Sequence, residues 1–306
     1  MFANKTVYVL NSAAIGDLIA AAPTLKHAID AYHDKTEYLV AIYDDFKDIF
    51  PFVPDDKFIP INSSYPVDFS IRTLNPPKNA TGVCKLTPSR MKLTEYGCVN
   101  LMGKILSDIE LKYIPLKTVN VDRFNVDFSK SVIIITTYRD KQRTILSNEL
   151  LTIAQYIQSK GLIPVYVGKT GKISIWKDYP AISDFEYPGF GVDLRDQTTL
   201  CELASIMSKS RAVIGMDSGP IHIAFTTDTP VIAGFTTVAP SKRIPYRGLA
   251  KTIAITPNIF CNFCESDWNL NLWDFNHCPR KMQLAECVTK MTAVKFINAM
   301  NELNVF

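Results

Sequence analysis

Runs of apolar, often β-branched residues recur along the chain, each followed by a turn and then by apolar residues at helical spacing, and this alternation leaves few folds open. Thr6–Asn11 (TVYVLN) reads as a strand; a small-residue turn follows, and Leu18, Ala21, Leu25, Ala28, Ile29 and Tyr32 then share a helical stripe. Tyr38–Tyr43 reads as a second strand, and Phe46–Phe50 as a short helix stopped before Pro51. A new series opens at Val132–Thr137, with helical spacing at Leu146, Leu150, Ile153, Ala154 and Ile157 that Gly161 ends. It continues as strand Ile163–Val167, helix Leu200–Ser208, strand Ala212–Met216, a helix over Ile221–Thr226 and strand Val231–Phe235. Thr292–Leu303 closes the chain as a helix. The expected fold class is α/β, with parallel sheets covered by helices on both faces. The dense prolines of Pro51–Pro88 predict short strands and loops, and a helix is expected over Leu93–Ile109. At 306 residues, two sheets suit the length better than one, divided in the polar stretch before Val132 into domains 1–128 and 129–306.

With 47% hydrophobic and 21% charged residues, the chain is not intrinsically disordered for most of its length. Its longest apolar run, near Ile15–Ala22, is broken by Asp17 and falls short of the roughly 20 residues that span a bilayer. No charged stretch and cleavage site of the secretory kind is read at the N-terminus, so the expectation is cytoplasmic. A net charge of +3 demands neither nucleic acid nor an anionic membrane as partner. Lys85, Arg90, Lys92, Lys242, Arg243 and Arg247, in loop-like segments, are compatible with either. Seven cysteines, an odd number, argue for reduced thiols or a metal site over a disulfide framework.

Open α/β sheets bind ligands at the carboxyl ends of their strands, so three strand-to-helix turns hold the candidate site residues. The first is Asp217-Ser218-Gly219-Pro220-Ile221-His222, where Gly219 allows close backbone approach and Pro220 suits a first helical turn. A plain capped helix, with Asp217 or Ser218 as N-cap and His222 filling space, explains the same residues. The second is Ser12–Asp17, which has one glycine and no G-x-G-x-x-G, so nicotinamide binding is disfavoured. Asp17 there is an N-cap or a catalyst. The third is Thr136-Thr137-Tyr138-Arg139-Asp140-Lys141-Gln142-Arg143, whose hydroxyls and cations suit a phosphate, or a solvated basic turn.

Taken together the motifs resemble glycosyltransferase family 9, the heptosyltransferases of lipopolysaccharide synthesis. Asp193-Leu194, Thr198–Ala204, Asp217–His222 and Pro230-Val231-Ile232 follow in the family's order; Gly16-Asp17-Leu18-Ile19 resembles its N-terminal loop, and Thr136-Thr137 with Lys141 its central lysine motif. The resemblance implies a GT-B fold of two facing Rossmann-like domains, the first on the acceptor side and the second holding the donor nucleotide. It implies an inverting transfer of a heptose or other sugar from a nucleotide-diphosphate donor (an ADP- or UDP-sugar) to an acceptor hydroxyl. Asp17 would be the general base, and Gly16 beside it would be among the donor-binding residues. Lys141, Thr136, Thr137 and Arg139 would hold the diphosphate, helped by N–H groups at Ser218 and Gly219. Asp217 would hold sugar hydroxyls, and His222 would lie near the phosphates. No cofactor is implied beyond the donor, in keeping with the absence of a D-x-D cluster from the sequence. One departure stands out: Gln142-Arg143-Thr144 replaces the family's tryptophan-proline pair.

The implied acceptor is a saccharide or lipid-linked saccharide at the inner membrane face. A hydroxymethylated DNA base, as in phage-type glycosylation in a host cytoplasm, is the alternative acceptor. A non-catalytic sugar-nucleotide-binding module is the alternative of another class, and an epimerase ranks below it. Cys261, Cys264, Cys278 and Cys287 are candidate ligands for a structural zinc, with His277 to spare, or are reduced thiols. Trp268, Leu270, Leu272, Trp273 and Phe275 between them read as core.

Overall fold

The computed structural model describes residues 6–10, 15–32, 38–61, 69–72, 113–138, 141–170, 184–264, 278, 280, 282 and 284–306. The helix expected over Leu93–Ile109, and the stretch from Trp268 to Phe275, lie outside them. The chain divides into two compact units: Met1–Lys117 with Ile244–Tyr246, and Thr118–Arg243 with Arg247–Phe306. Against the expected ranges 1–128 and 129–306, Ile244–Tyr246 fall with the first unit and 118–128 with the second. The reason is local bonding: Val119 N–H donates to Ser205 Oγ at 2.9 Å, and the Arg123 guanidinium reaches Glu202 at 2.7 Å.

In the first unit, β1 (Thr6–Leu10) leads into α1 (Ile15–Tyr32), then β2 (Tyr38–Ile42), β3 (Phe58–Pro60) and β4 (Phe69–Arg72). Among the described residues they form one sheet in the order β3-β2-β1-β4, every pair parallel. Leu18, Ile19, Ala21, Ala22 and Leu25 of α1 are buried, as their helical spacing requires. The short helix expected at Phe46–Phe50 is a 3₁₀ turn over Asp44–Ile49 that buries Phe46 and Ile49.

The second unit runs β5 (Ser131–Ile135), α2 (Ser147–Ser159), β6 (Ile163–Val167), β7 (Val192–Asp193), α3 (Leu200–Lys209), β8 (Ala212–Met216), α4 (Gly219–Ala224), β9 (Val231–Gly234), β10 (Thr252–Ile255), α5 (Glu286–Thr289) and α6 (Ala293–Glu302). Its described strands order as β10-β9-β8-β5-β6-β7, all parallel. Numbered within the unit, this is the 6-5-4-1-2-3 order of a doubly wound nucleotide fold. β5, β8 and β9 are buried at every residue, which is why they read as unbroken apolar runs. Val132, Ile134, Ile214 and Ile232 share a core with Leu150, Ile153, Ala154 and Ile157 of α2 and with Phe296, Ala299 and Met300 of α6. No described helix is long and apolar enough to cross a membrane.

Candidate functional site

A doubly wound sheet opens a crevice where its strand order turns back, beyond the carboxyl ends of the two strands at that point. In the second unit those strands are β5 and β8, neighbours in space through parallel pairing of Val132–Ile134 with Ala212–Ile214. The turns that follow them, with the turn after β9, carry a buried polar cluster centred on Asp217.

Asp217 is 4% exposed. Its Oδ2 lies 3.5 Å from Arg143 Nη1 and 3.3 Å from Arg243 Nε, and its Oδ1 lies 3.4 Å from His222 Nε2. Burial alone would raise its pKa. Arg243, then Arg143, then the His222 hydrogen bond outweigh that and hold the carboxyl well below the usual range. His222 is pushed the other way from a protonated base: burial lowers its pKa more than Asp217 raises it. The site therefore holds an ionised carboxylate between two guanidiniums beside a neutral imidazole.

The turn after β5 is fastened to the turn after β9. Thr236 Oγ1 donates to the Gln142 carbonyl at 2.6 Å, and Arg143 Nε donates to Thr237 Oγ1 at 2.9 Å. Lys141 sits exposed at the start of this turn, and Arg139 lies outside the described residues. Both threonines at the end of β5 serve the scaffold. The Thr136 N–H and hydroxyl meet the Val167 carbonyl, and the Thr137 hydroxyl bonds the Lys169 backbone. Gly168 makes room for Thr137: its φ is +119°, and a Cβ there would fall 2.1 Å from Thr137 Oγ1.

Ser218 stands at the N-cap position of α4 but makes no capping bond with its side chain, and Gly219 and Pro220 open the helix. Upstream, the string resembling family 9 folds as scaffold. Thr199 and Glu202 form a reciprocal capping box on α3, and Arg195 clasps Asp193 through two contacts of 2.8 and 2.7 Å. In the first unit, Gly16 and Asp17 lie in the first turn of α1, directly after β1, the strand at which that sheet's order turns back to β4.

The basic residues split by role. Arg243 is buried against Asp217. Arg247 donates to the Thr227, Thr229 and Lys251 carbonyls and to Thr252 Oγ1, and burial lowers its pKa to about 10. Lys85, Arg90 and Lys92 lie outside the described residues. Arg143 belongs to the turn whose cations the sequence offers to a phosphate, but its seat on Asp217 was not foreseen, and Arg243 was not assigned to the site at all. The position of Arg143 in the strand-end turn after Lys141 was a usable signal; nothing local marks Arg243.

Cys261, Cys264, Cys278 and Cys287 are free thiols. Burial first, then Cys278 and Cys261, push the Cys287 thiol up to about 11. Arg280 Nη1 donates to Cys261 Sγ at 3.7 Å and to Glu286 Oε2 at 3.0 Å. Among the described residues no three His, Cys, Asp or Glu side chains are arranged to hold a metal ion, so the zinc alternative gains no geometric support; His277 lies outside them.

Two parallel α/β sheets of this order define the class, and solved structures agree. The chain is similar to the iron-containing dodecameric glycosyltransferase TibC of enterotoxigenic Escherichia coli (TM-score 0.70, 15% identity, covering 98% of this chain and 76% of that one). A second TibC structure, in complex with ADP-D-β-D-heptose, gives a TM-score of 0.73 at the same identity and coverage. E. coli ADP-heptose lipopolysaccharide heptosyltransferase II gives 0.64 at 11% identity, with 97% and 98% covered. The fold is GT-B.

The family likeness comes from sequence. Residues 181–265 match the model of glycosyltransferase family 9 (heptosyltransferase). A stretch of 137 residues is 26% identical to the lipopolysaccharide core heptosyltransferase OpsX of Haemophilus influenzae, covering 44% of this chain and 38% of that protein. The chain is thus heptosyltransferase-like, in the manner of family 9, and its match spans well under half of the curated relative.

Proposed function

We propose that the protein is an inverting glycosyltransferase that moves a heptose from a nucleotide-diphosphate donor, ADP-heptose in the first instance, to the hydroxyl of a saccharide acceptor. The observation that carries this reading is the buried seating of Arg143 and Arg243 on Asp217 at the point where the second sheet's order reverses, with Lys141 exposed on the turn that carries Arg143. That crevice is where a doubly wound fold binds a nucleotide, and Lys141 is the charge suited to its diphosphate. TibC, with the same fold, holds ADP-D-β-D-heptose.

In this reading the acceptor oxygen bonds to the anomeric carbon as the bond to the diphosphate oxygen breaks, so configuration inverts. Asp17 receives the acceptor proton. A carboxylate is too weak a base to deprotonate an alcohol beforehand, so the proton moves late, at hydrogen-bond distance. Lys141 stabilises the charge gathering on the departing nucleoside diphosphate.

Thermal unfolding with ADP-heptose, ADP, UDP-glucose and GDP-mannose tests donor choice. An ADP compound at a hundredfold over its Kd stabilises the fold by about 2.7 kcal/mol, and Lys141→Ala loses the response. Asp17→Asn keeps donor binding and loses transfer by orders of magnitude; unchanged turnover in that variant removes Asp17 from the mechanism. Transfer of labelled sugar to truncated lipopolysaccharide, against duplex DNA bearing hydroxymethylcytosine, tests the acceptor.

The cysteine segment supports a second, structural reading. Four thiols in one segment are the soft donors that tetrahedral zinc or iron takes, although no three-ligand group forms among the described residues. No step of transfer runs through a metal. Elemental analysis of the purified protein is the check: about one equivalent of iron or zinc per chain supports a structural ion, and none leaves four reduced thiols.

A further inference from the structure

Three loops meet at Asp217, each from the carboxyl end of a different strand. Arg143 comes from the turn after β5, Asp217 from the turn after β8, and Arg243 from beyond β9. Arg143 is itself held twice, through Nη1 to Asp217 at 3.5 Å and through Nε to Thr237 at 2.9 Å, while the carbonyl of the preceding residue is held by Thr236. The chain immediately following Lys141 is therefore held at two successive residues, through the Gln142 carbonyl and the Arg143 side chain, by threonines 94 positions away in sequence. Lys141 is the exposed end of a fixed arm.

We infer that Arg143, seated on Asp217 and Thr237, is a positioning residue that sets where the Lys141 ammonium stands for the donor diphosphate. The inference rests on the glycosyltransferase reading and adds a residue to it. An arginine suits the task because its planar fork makes two directed contacts at once, which the single ammonium of lysine does not. Its seat survives burial because Asp217 stays ionised there, neutralised from two sides. Asp217 gives that seat its charge, with one oxygen facing both guanidiniums and the other the imidazole. A displacement of about 1 Å at a charge-stabilising group costs up to a hundredfold in rate, so a loosened arm is visible in kinetics without loss of the fold.

The test compares wild type with Arg143→Met, Arg143→Lys, Lys141→Ala and the Lys141→Ala/Arg143→Met double variant. ADP affinity is measured by calorimetry, and KM for ADP-heptose and kcat by transfer. Arg143→Met is expected to weaken ADP and raise the donor KM about tenfold or more, and Arg143→Lys to recover part of the loss. In the Lys141→Ala background the further change to Met is expected to cost almost nothing, because a residue that acts through Lys141 has nothing left to position. Should Arg143→Met not fold, Arg143→Lys with and without Lys141→Ala gives the same comparison. Wild-type ADP affinity in the Arg143 variants, or losses that simply add to those of Lys141→Ala, overturn the inference while leaving the transferase reading intact. A wild-type protein that binds no nucleoside diphosphate overturns both.

Discussion

Asp217 and His222 are almost sealed from solvent, and each makes the fold sensitive to acid in a different pH range. His222 has a lowered pKa in the fold, so between that value and 6.5 the unfolded chain binds a proton that the folded chain refuses. Its contribution to stability is complete above about pH 6.5 and is lost as pH falls through the folded value. The urea midpoint is expected to drop between pH 7.5 and 5.5, and His222→Gln to flatten that drop; an equal slope in the variant removes His222 as its source. Asp217 follows the same sign lower down, holding its stabilisation above the ordinary carboxylate range near 3.8 and losing it below. Asp217→Asn strips the carboxylate from two buried guanidiniums, and about 3 to 5 kcal/mol of stability should go with it, read by urea titration at pH 7. The sequence showed Asp217, His222 and Lys141 because each sits where a strand run gives way to a turn. It hid Arg243, because a side chain beyond β9 meets one beyond β8 only after the strands align.

Elements differ in how much of their cause is local. The start of α3 is fixed within four residues: the Thr199 hydroxyl accepts from the Glu202 N–H at 3.2 Å, and the Glu202 carboxylate accepts from the Thr199 N–H at 2.9 Å. Arg123 grips the same carboxylate and, with the Thr199 N–H, brings its pKa down to about 2. Thr199→Ala should lower unfolding stability by about 1 kcal/mol, and Thr199→Ser by much less, measured by urea titration. A start so local is readable from the chain, as are β5, β8 and β9 from their apolar runs. β7 and β10 were not read, because one is two residues long and the other is half-exposed along most of its length, so neither carries a contrast of polarity. The 3₁₀ turn at Asp44–Ile49 was read as a helix because one turn of either kind buries the same two side chains.

At the scale of the molecule, two units with separate sheets make a single unfolding free energy a poor description. Far-ultraviolet circular dichroism follows both units, so thermal unfolding is expected in two phases. A nucleotide that binds the second unit as proposed should move one phase and leave the other where it was. A single phase moved whole by ADP would show one cooperative structure instead. The strand order carries a further consequence, for synthesis. Ser131–Ile135 occupies a central place in its sheet yet leaves the ribosome before either flank. Ile163–Val167 covers one side soon afterwards, but the other stays bare until Ala212–Met216 emerges. For that interval the nascent chain presents an unprotected edge of valine and isoleucine, the kind that joins other chains. Products released early, short of Ala212, should accumulate as aggregates, and the yield of the whole protein should depend on how quickly translation crosses that gap.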